Sequence, residues 1–134
     1  MMLRSTQWLV SLARSLGMAL ILIALVQLPI LFFAMVREDQ VATVSFAYST
    51  LISALFSLLL LVATNGAPKK TSRRLNVLGP LVFYLIVPIF AGVPFFISIE
   101  FSSFFSAYFE AVSALTTTGA SVLDQWYPLS DSII

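Results

Sequence analysis

The sequence predicts an all-α integral membrane protein: an N-terminal transmembrane helix hairpin, a third apolar helix, and a short re-entrant helix followed by a loop. Three observations predict it. Of the 134 residues, 60% are hydrophobic and only 10% are charged, with a mean hydropathy of +1.02, whereas a soluble domain keeps roughly a quarter of its residues charged. The apolar residues fall into long uncharged runs, the pattern of bilayer spans. The last run, Phe104 to Val122 (FFSAYFEAVSALTTTGASV), holds Glu110 in its middle and ends in Thr116, Thr117, Thr118 and Gly119. A spanning helix has no need of that ending.

Several function classes fall away at once. The net charge of +1 gives no basic excess for nucleic acid. Cysteine and histidine are both absent, which excludes disulfides, thiol catalysis and the usual zinc sites. An enzyme is not expected, because scattered carboxylates alone would have to supply nucleophile and base. No cofactor is expected either.

The first element follows a short polar start, MMLRSTQ. From Ser15 to Val36 there is no charge, and at 1.5 Å per residue the run can cross a bilayer. Arg4 and Arg14 ahead of an apolar run also suit a signal peptide, but the run exceeds a signal core of roughly 7–15 residues and no small-x-small site follows. An uncleaved helix is therefore expected. Gln27 and Pro29 inside it suit a kink packed on a neighbouring helix. Arg37 to Gln40 form a tight polar loop, and a second span runs from Val41 to about Thr64. Its serines, Ser45, Ser49, Ser53 and Ser57, share one helical face, where small residues let helices approach closely; a polar conduction path along that face is the lesser alternative. Residues 1–66 thus form a hairpin.

Asn65 to Arg74 (NGAPKKTSRR) reads as a linker in which Gly66 and Pro68 stop the second helix. Its four cations suit anionic lipid, a partner or a simple topology signal. With Arg4 and Arg14 they outnumber Arg37 on the other side, so the N-terminus and linker are expected to be cytoplasmic. The third run, Leu75 to Ile99, contains Pro80 and Pro88 and closes on Gly92 and Pro94. An outer helix over 75–91 is expected, with VPFF as an exit turn and Glu100 outside.

For the fourth stretch, a spanning helix would place Glu110 near the bilayer centre, at a cost of roughly 2.5–3.5 kcal/mol. A half-length helix over 103–116, capped by Ser102 or Ser103, explains more residues. At roughly ten to twelve residues it is about 15–18 Å long, so it enters from outside and stops midway. Its C-terminal end carries partial negative charge and favours a cation. Thr117, Thr118 and Gly119 are then expected to run back outward in extended form, with carbonyls placed to replace an ion's water shell. Taken alone, TTTG is an ordinary glycine-capped helix end; its place after a half-length helix gives it another meaning. Glu110 either braces this loop, through hydrogen bonds or an arginine elsewhere in the pore, or sits in a hydrated crevice.

At AYFEAVSALTTTGASV the chain resembles the first pore loop of the Trk/Ktr/HKT superfamily of potassium transporters, most of all the membrane subunit of bacterial Trk potassium uptake systems. The hairpin, basic linker, Pro/Gly-broken third helix and GVPF exit fall in the same order. The resemblance implies a pore of four repeats, each an outer helix, a pore loop and an inner helix of potassium-channel type. By it, Thr117, Thr118, Gly119 and Ala120 form the first selectivity-filter strand, and K+, the transported ion, meets the backbone carbonyls of Thr117, Thr118 and Gly119. Thr116 and Glu110 are candidate filter supports. Glycine at 119 implies potassium preference, since serine there accompanies sodium preference in plant relatives. A homodimer in the bacterial inner membrane, regulated by a cytosolic nucleotide-binding subunit, is implied for the full protein. Residues 67–134 hold only part of one repeat, without its inner helix, so the chain is expected to be the N-terminal part of a longer transporter; a self-assembling tetramer is the lesser alternative. The rival reading is a non-transporting membrane scaffold or accessory subunit with four ordinary helices.

Overall fold

The computed structural model describes residues 7–66, 73–98 and 103–122. All regular structure among them is helical: α1 (Gln7–Val36), α2 (Gln40–Ala63), α3 (Arg73–Ala91), α4 (Val93–Ser98) and α5 (Phe104–Leu115). Gln7–Val36, Gln40–Ala63 and Leu75–Ile97 are long and apolar enough to cross a membrane, the build of a multi-pass membrane protein. Leu22, Val26, Phe32, Leu51, Val62 and Val77 are all exposed, as suits a surface whose solvent is lipid rather than water.

The hairpin turn is built by two caps in succession. Glu38 takes a left-handed φ of 56°, and the amides of Glu38 and Asp39 donate back to the carbonyls of Met35 and Ala34, each at 3.1 Å. This paired closure of a helix end leaves no gap before α2. The Asp39 carboxylate then accepts from the Ala42 amide at 3.0 Å, capping α2. At the hairpin's other end the Arg14 guanidinium donates to the carbonyl of Thr64, which caps α2. A cation there also suits the negative end of the helix dipole.

Small residues bring α1 and α2 together. Ser45, Ser49, Ser53 and Ser57 are fully buried. Ser57 Oγ donates to the Gly17 carbonyl at 2.7 Å. A Cβ on Gly17 would come within 3.1–3.2 Å of Leu60 and Leu61. The serine face is therefore a close-packing face. Gln27, also buried, donates from Nε2 to Ser49 Oγ at 2.9 Å and accepts from Thr50 Oγ1 at 3.3 Å. It ties the two helices together at mid-span.

α3 packs on α1 and α2, α4 on α2, and α5 on α3 and α4. Two boundaries differ from expectation. α3 starts at Arg73, so the last arginines of the basic segment form its first turn; Lys69, Lys70 and the rest of 67–72 lie outside the described residues, as do Arg4, Glu100, Ser102 and 123–134. VPFF is not an exit turn but the start of α4. Proline is tolerated in a first helical turn. The hydrogen-bond line also runs through the break, from Gly92 N to the Pro88 carbonyl at 2.8 Å and from Phe96 N to the Gly92 carbonyl at 3.0 Å. Because Pro94 has no amide proton, the Phe90 carbonyl lacks its helical donor. The Ser49 hydroxyl takes that place at 3.2 Å.

Candidate functional site

The site is α5 and the loop that leaves it. Ser103, in extended conformation, caps the helix by accepting from the Phe105 amide at 3.1 Å. Ala107, Ala111 and Ser113 are its buried residues. Small side chains here let backbones meet: a Cβ on Gly92 would lie 3.1 Å from the Ala107 carbonyl oxygen and 3.0 Å from that of Pro88. The Tyr108 hydroxyl donates to the Leu85 carbonyl of α3 at 3.2 Å, and Phe104 stands edge-on to Phe96 of α4 at 5.9 Å. The half-length helix is thus anchored along one side.

Its C-terminal end closes on threonine, not on glycine. The amides of Thr117 and Thr118 donate to the carbonyls of Ala114 and Ser113 at 3.2 and 3.0 Å. This is the paired closure in which the residue after the cap goes left-handed, usually as glycine. Here that residue is Thr117, with φ 54°. Left-handed backbone is rare for a β-branched side chain. Hydroxyl contacts accompany it, among them Thr116 Oγ1 to the Val112 carbonyl at 2.8 Å, Thr117 Oγ1 to the Thr116 carbonyl at 2.7 Å, and Thr116 Oγ1 with Thr118 Oγ1 at 2.7 Å. Thr117 is therefore curled under the helix end rather than extended as expected from the sequence.

Gly119 is left for another purpose. It adopts φ +69°, with nothing within 4 Å of where a Cβ would stand. Its backbone angle, not a lack of room, calls for glycine. From Thr118 to Val122 the chain has no regular structure and is exposed. Among the described residues, no hydrogen bond reaches the carbonyls of Thr117, Thr118, Gly119 or Ala120.

Glu110 holds the returning limb. Its Oε1 accepts from Ser121 Oγ at 2.7 Å and from the Val122 amide at 2.6 Å. Glu110 is half-buried, and these two bonds tie residues 121 and 122 to the middle of α5. Ser121 and Val122 were not foreseen as its partners. The spacing contains the signal: from 110 to 116 the helix descends about 9 Å, which about three extended residues at 3.3 Å would recover. Curls at Thr117 and Gly119 use up chain, so position 121 comes level with the carboxylate.

The structure thus gathers Glu110, Thr116, Thr117, Thr118, Gly119 and Ala120 on one helix end and its loop. Among the described residues no three histidine, cysteine or carboxylate side chains converge to hold a metal ion; a cation at this loop would meet backbone and hydroxyl oxygens. No family model, curated protein or solved structure matches the chain.

Proposed function

We propose that this chain supplies one wall of a potassium-conducting pore, as the N-terminal part of a potassium uptake transporter or channel in a bacterial inner membrane. In this reading α5 is the pore helix and residues 117–120 are one of four filter segments. A single segment cannot enclose an ion, so the other three walls come from elsewhere in the complete assembly. The ion sheds water against the carbonyls of Thr117, Thr118 and Gly119, and no covalent chemistry takes place. The supporting observation is a helix of 12 residues, about 18 Å long, whose end opens onto a loop braced back along the helix by Glu110. Non-helical backbone at membrane depth is tolerated only when buried in protein or lining a watery path. The sequence resemblance adds the ion, through glycine at position 119, and the expected dimer and nucleotide-binding regulator. The scaffold reading needs a fourth ordinary span, and α5 is too short to be one.

Gly119→Asp tests the reading. In the complete protein, expressed in cells lacking their own potassium uptake, it is expected to abolish growth at low potassium while protein level and membrane insertion stay normal. Undiminished growth would count decisively against a filter at 117–120. Gly119→Ser is expected to keep uptake but let sodium compete, read from uptake of each ion in mixtures.

A further inference from the structure

The groove between α1 and α3 has no part in ion passage as proposed above. It is open to the surroundings, has a volume of about 620 Å3, and is lined mainly by apolar residues such as Leu12, Leu16, Leu75 and Phe83, with Ser15 and Asn76 as polar members. That volume falls within the ~300–1,000 Å3 of small-molecule sites.

Charge distinguishes one end of the groove. Arg73 precedes the lining residue Asn76 by three positions, so the two share a face of α3, whereas the Arg14 guanidinium is engaged by the Thr64 carbonyl. Arg73 is exposed and is the first residue of α3. A helix N-terminus already carries partial positive charge, so arginine there has the sign that the dipole disfavours. The described carboxylates lie elsewhere: Glu38 and Asp39 at the far turn of the hairpin, and Glu110 on α5. An apolar slot with a cationic rim matches an amphiphile with an apolar tail and an anionic head.

We propose that the α1–α3 groove seats one acyl chain of an anionic phospholipid, whose phosphate lies against the Arg73 end. The tail alone would confer no preference, because lipid tails are as apolar as leucine and the chain leaves one apolar setting for another. Selection therefore comes from the headgroup, as attraction between phosphate and juxtamembrane arginine. The groove fixes where that lipid sits. This inference does not depend on the ion or on the filter.

The test is native mass spectrometry of the chain in neutral detergent, with equimolar phosphatidylglycerol and phosphatidylcholine. Phosphatidylglycerol is expected to be retained in preference. Arg73→Gln is expected to weaken its retention about fivefold, equivalent to about 1 kcal/mol per arginine near an anionic surface. Gly79→Leu fills the groove and is expected to weaken retention at least as much. Its Cβ would meet only the Leu75 side chain, at 3.8 Å, so the backbone can accept it. Equal retention of the two lipids overturns the proposal. So does retention insensitive to Gly79→Leu, which means adsorption by charge alone. Displacement by millimolar inorganic phosphate, or a dimer abolished by Gly79→Leu, overturns it in favour of a bare phosphate site or a second copy of the chain. Should Gly79→Leu fail to fold, Phe83→Trp, with Trp8 and Trp126 replaced by Phe, decides the matter. Brominated phosphatidylglycerol must then quench its fluorescence more than brominated phosphatidylcholine does; equal quenching overturns the proposal.

Discussion

Glu110 places both of its hydrogen bonds on one oxygen, and both partners lie beyond Gly119. Hydrogen bonds to a charged group contribute about 1.5–3 kcal/mol each, and half-burial favours the lower figure. Glu110→Ala is therefore expected to speed exchange of the Val122 amide by about tenfold, whereas Glu110→Gln, which keeps an acceptor oxygen, restores much of the protection. Unchanged exchange in Glu110→Ala would show that the brace is not formed in the membrane. Thr117 and Gly119 form a second pair of residues to set against each other, since both have positive φ. Left-handed backbone costs an ordinary L-residue roughly 1–2 kcal/mol, and asparagine tolerates it better. Thr117→Asn should thus raise the unfolding midpoint and Gly119→Ala should lower it, although the space beside Gly119 is open. The opposite order in thermal unfolding would remove strain from the account. The glycine was legible in the sequence, and the cap lies elsewhere. TTTG reads as a run ending in a capping glycine, yet the cap falls two residues earlier, because α5 stops at Leu115 and its closing bonds select Thr117.

Among the elements, the junction of α3 and α4 shows how the broken helix is tolerated. Pro94 removes the donor that the Phe90 carbonyl would have had, and Ser49 of α2 supplies another while also receiving the Gln27 amide. Interhelical hydrogen bonds in membranes average about 0.6 kcal/mol, up to about 1.7. Ser49→Ala should lie toward the upper value, because it strands a carbonyl with no helical alternative. In a Pro94→Ala background the returned amide satisfies Phe90, so the same substitution should cost measurably less. Double-mutant unfolding in micelles measures this difference; additive costs would mean that Ser49 does not serve the junction. The prolines and the serine stripe could be read from sequence as kinks and close packing. Their pairing could not, because Ser49 and Phe90 are 41 positions apart and no local pattern records which hydroxyl meets which carbonyl. The same limit explains VPFF. Gly and Pro together suggest a turn, but the segment is helical and packs on α2.

For the whole molecule, the number of crossings decides between the two readings of the fourth stretch. Hydropathy made α1, α2 and the third span legible because a bilayer demands about 20 apolar residues in a row, and all three are found. The cations could be sorted by side from the sequence, and the structure brings Arg14 beside Thr64, at the α2 end of the hairpin. What composition could not settle is where the chain goes after Ser103, because α5 is as apolar as a span. Its length sets the expectation. With 12 residues, about 18 Å against a hydrocarbon core of about 30 Å, it ends about halfway. Completing a crossing would require the loop from Thr118 to Val122 to traverse the remaining depth, whereas Glu110 fastens Ser121 and Val122 back alongside the helix. If the three long helices all cross, the start of α5 falls on the side opposite the N-terminus. A reporter fused after Ile134 should therefore lie on that opposite side, and one fused after Thr64 on the same side as the N-terminus. Finding the Ile134 fusion on the N-terminal side would make α5 part of a fourth crossing, pull the brace apart and leave the scaffold reading standing. If Glu110→Ala alone moved the fusion to that side, the carboxylate would be what turns the chain back.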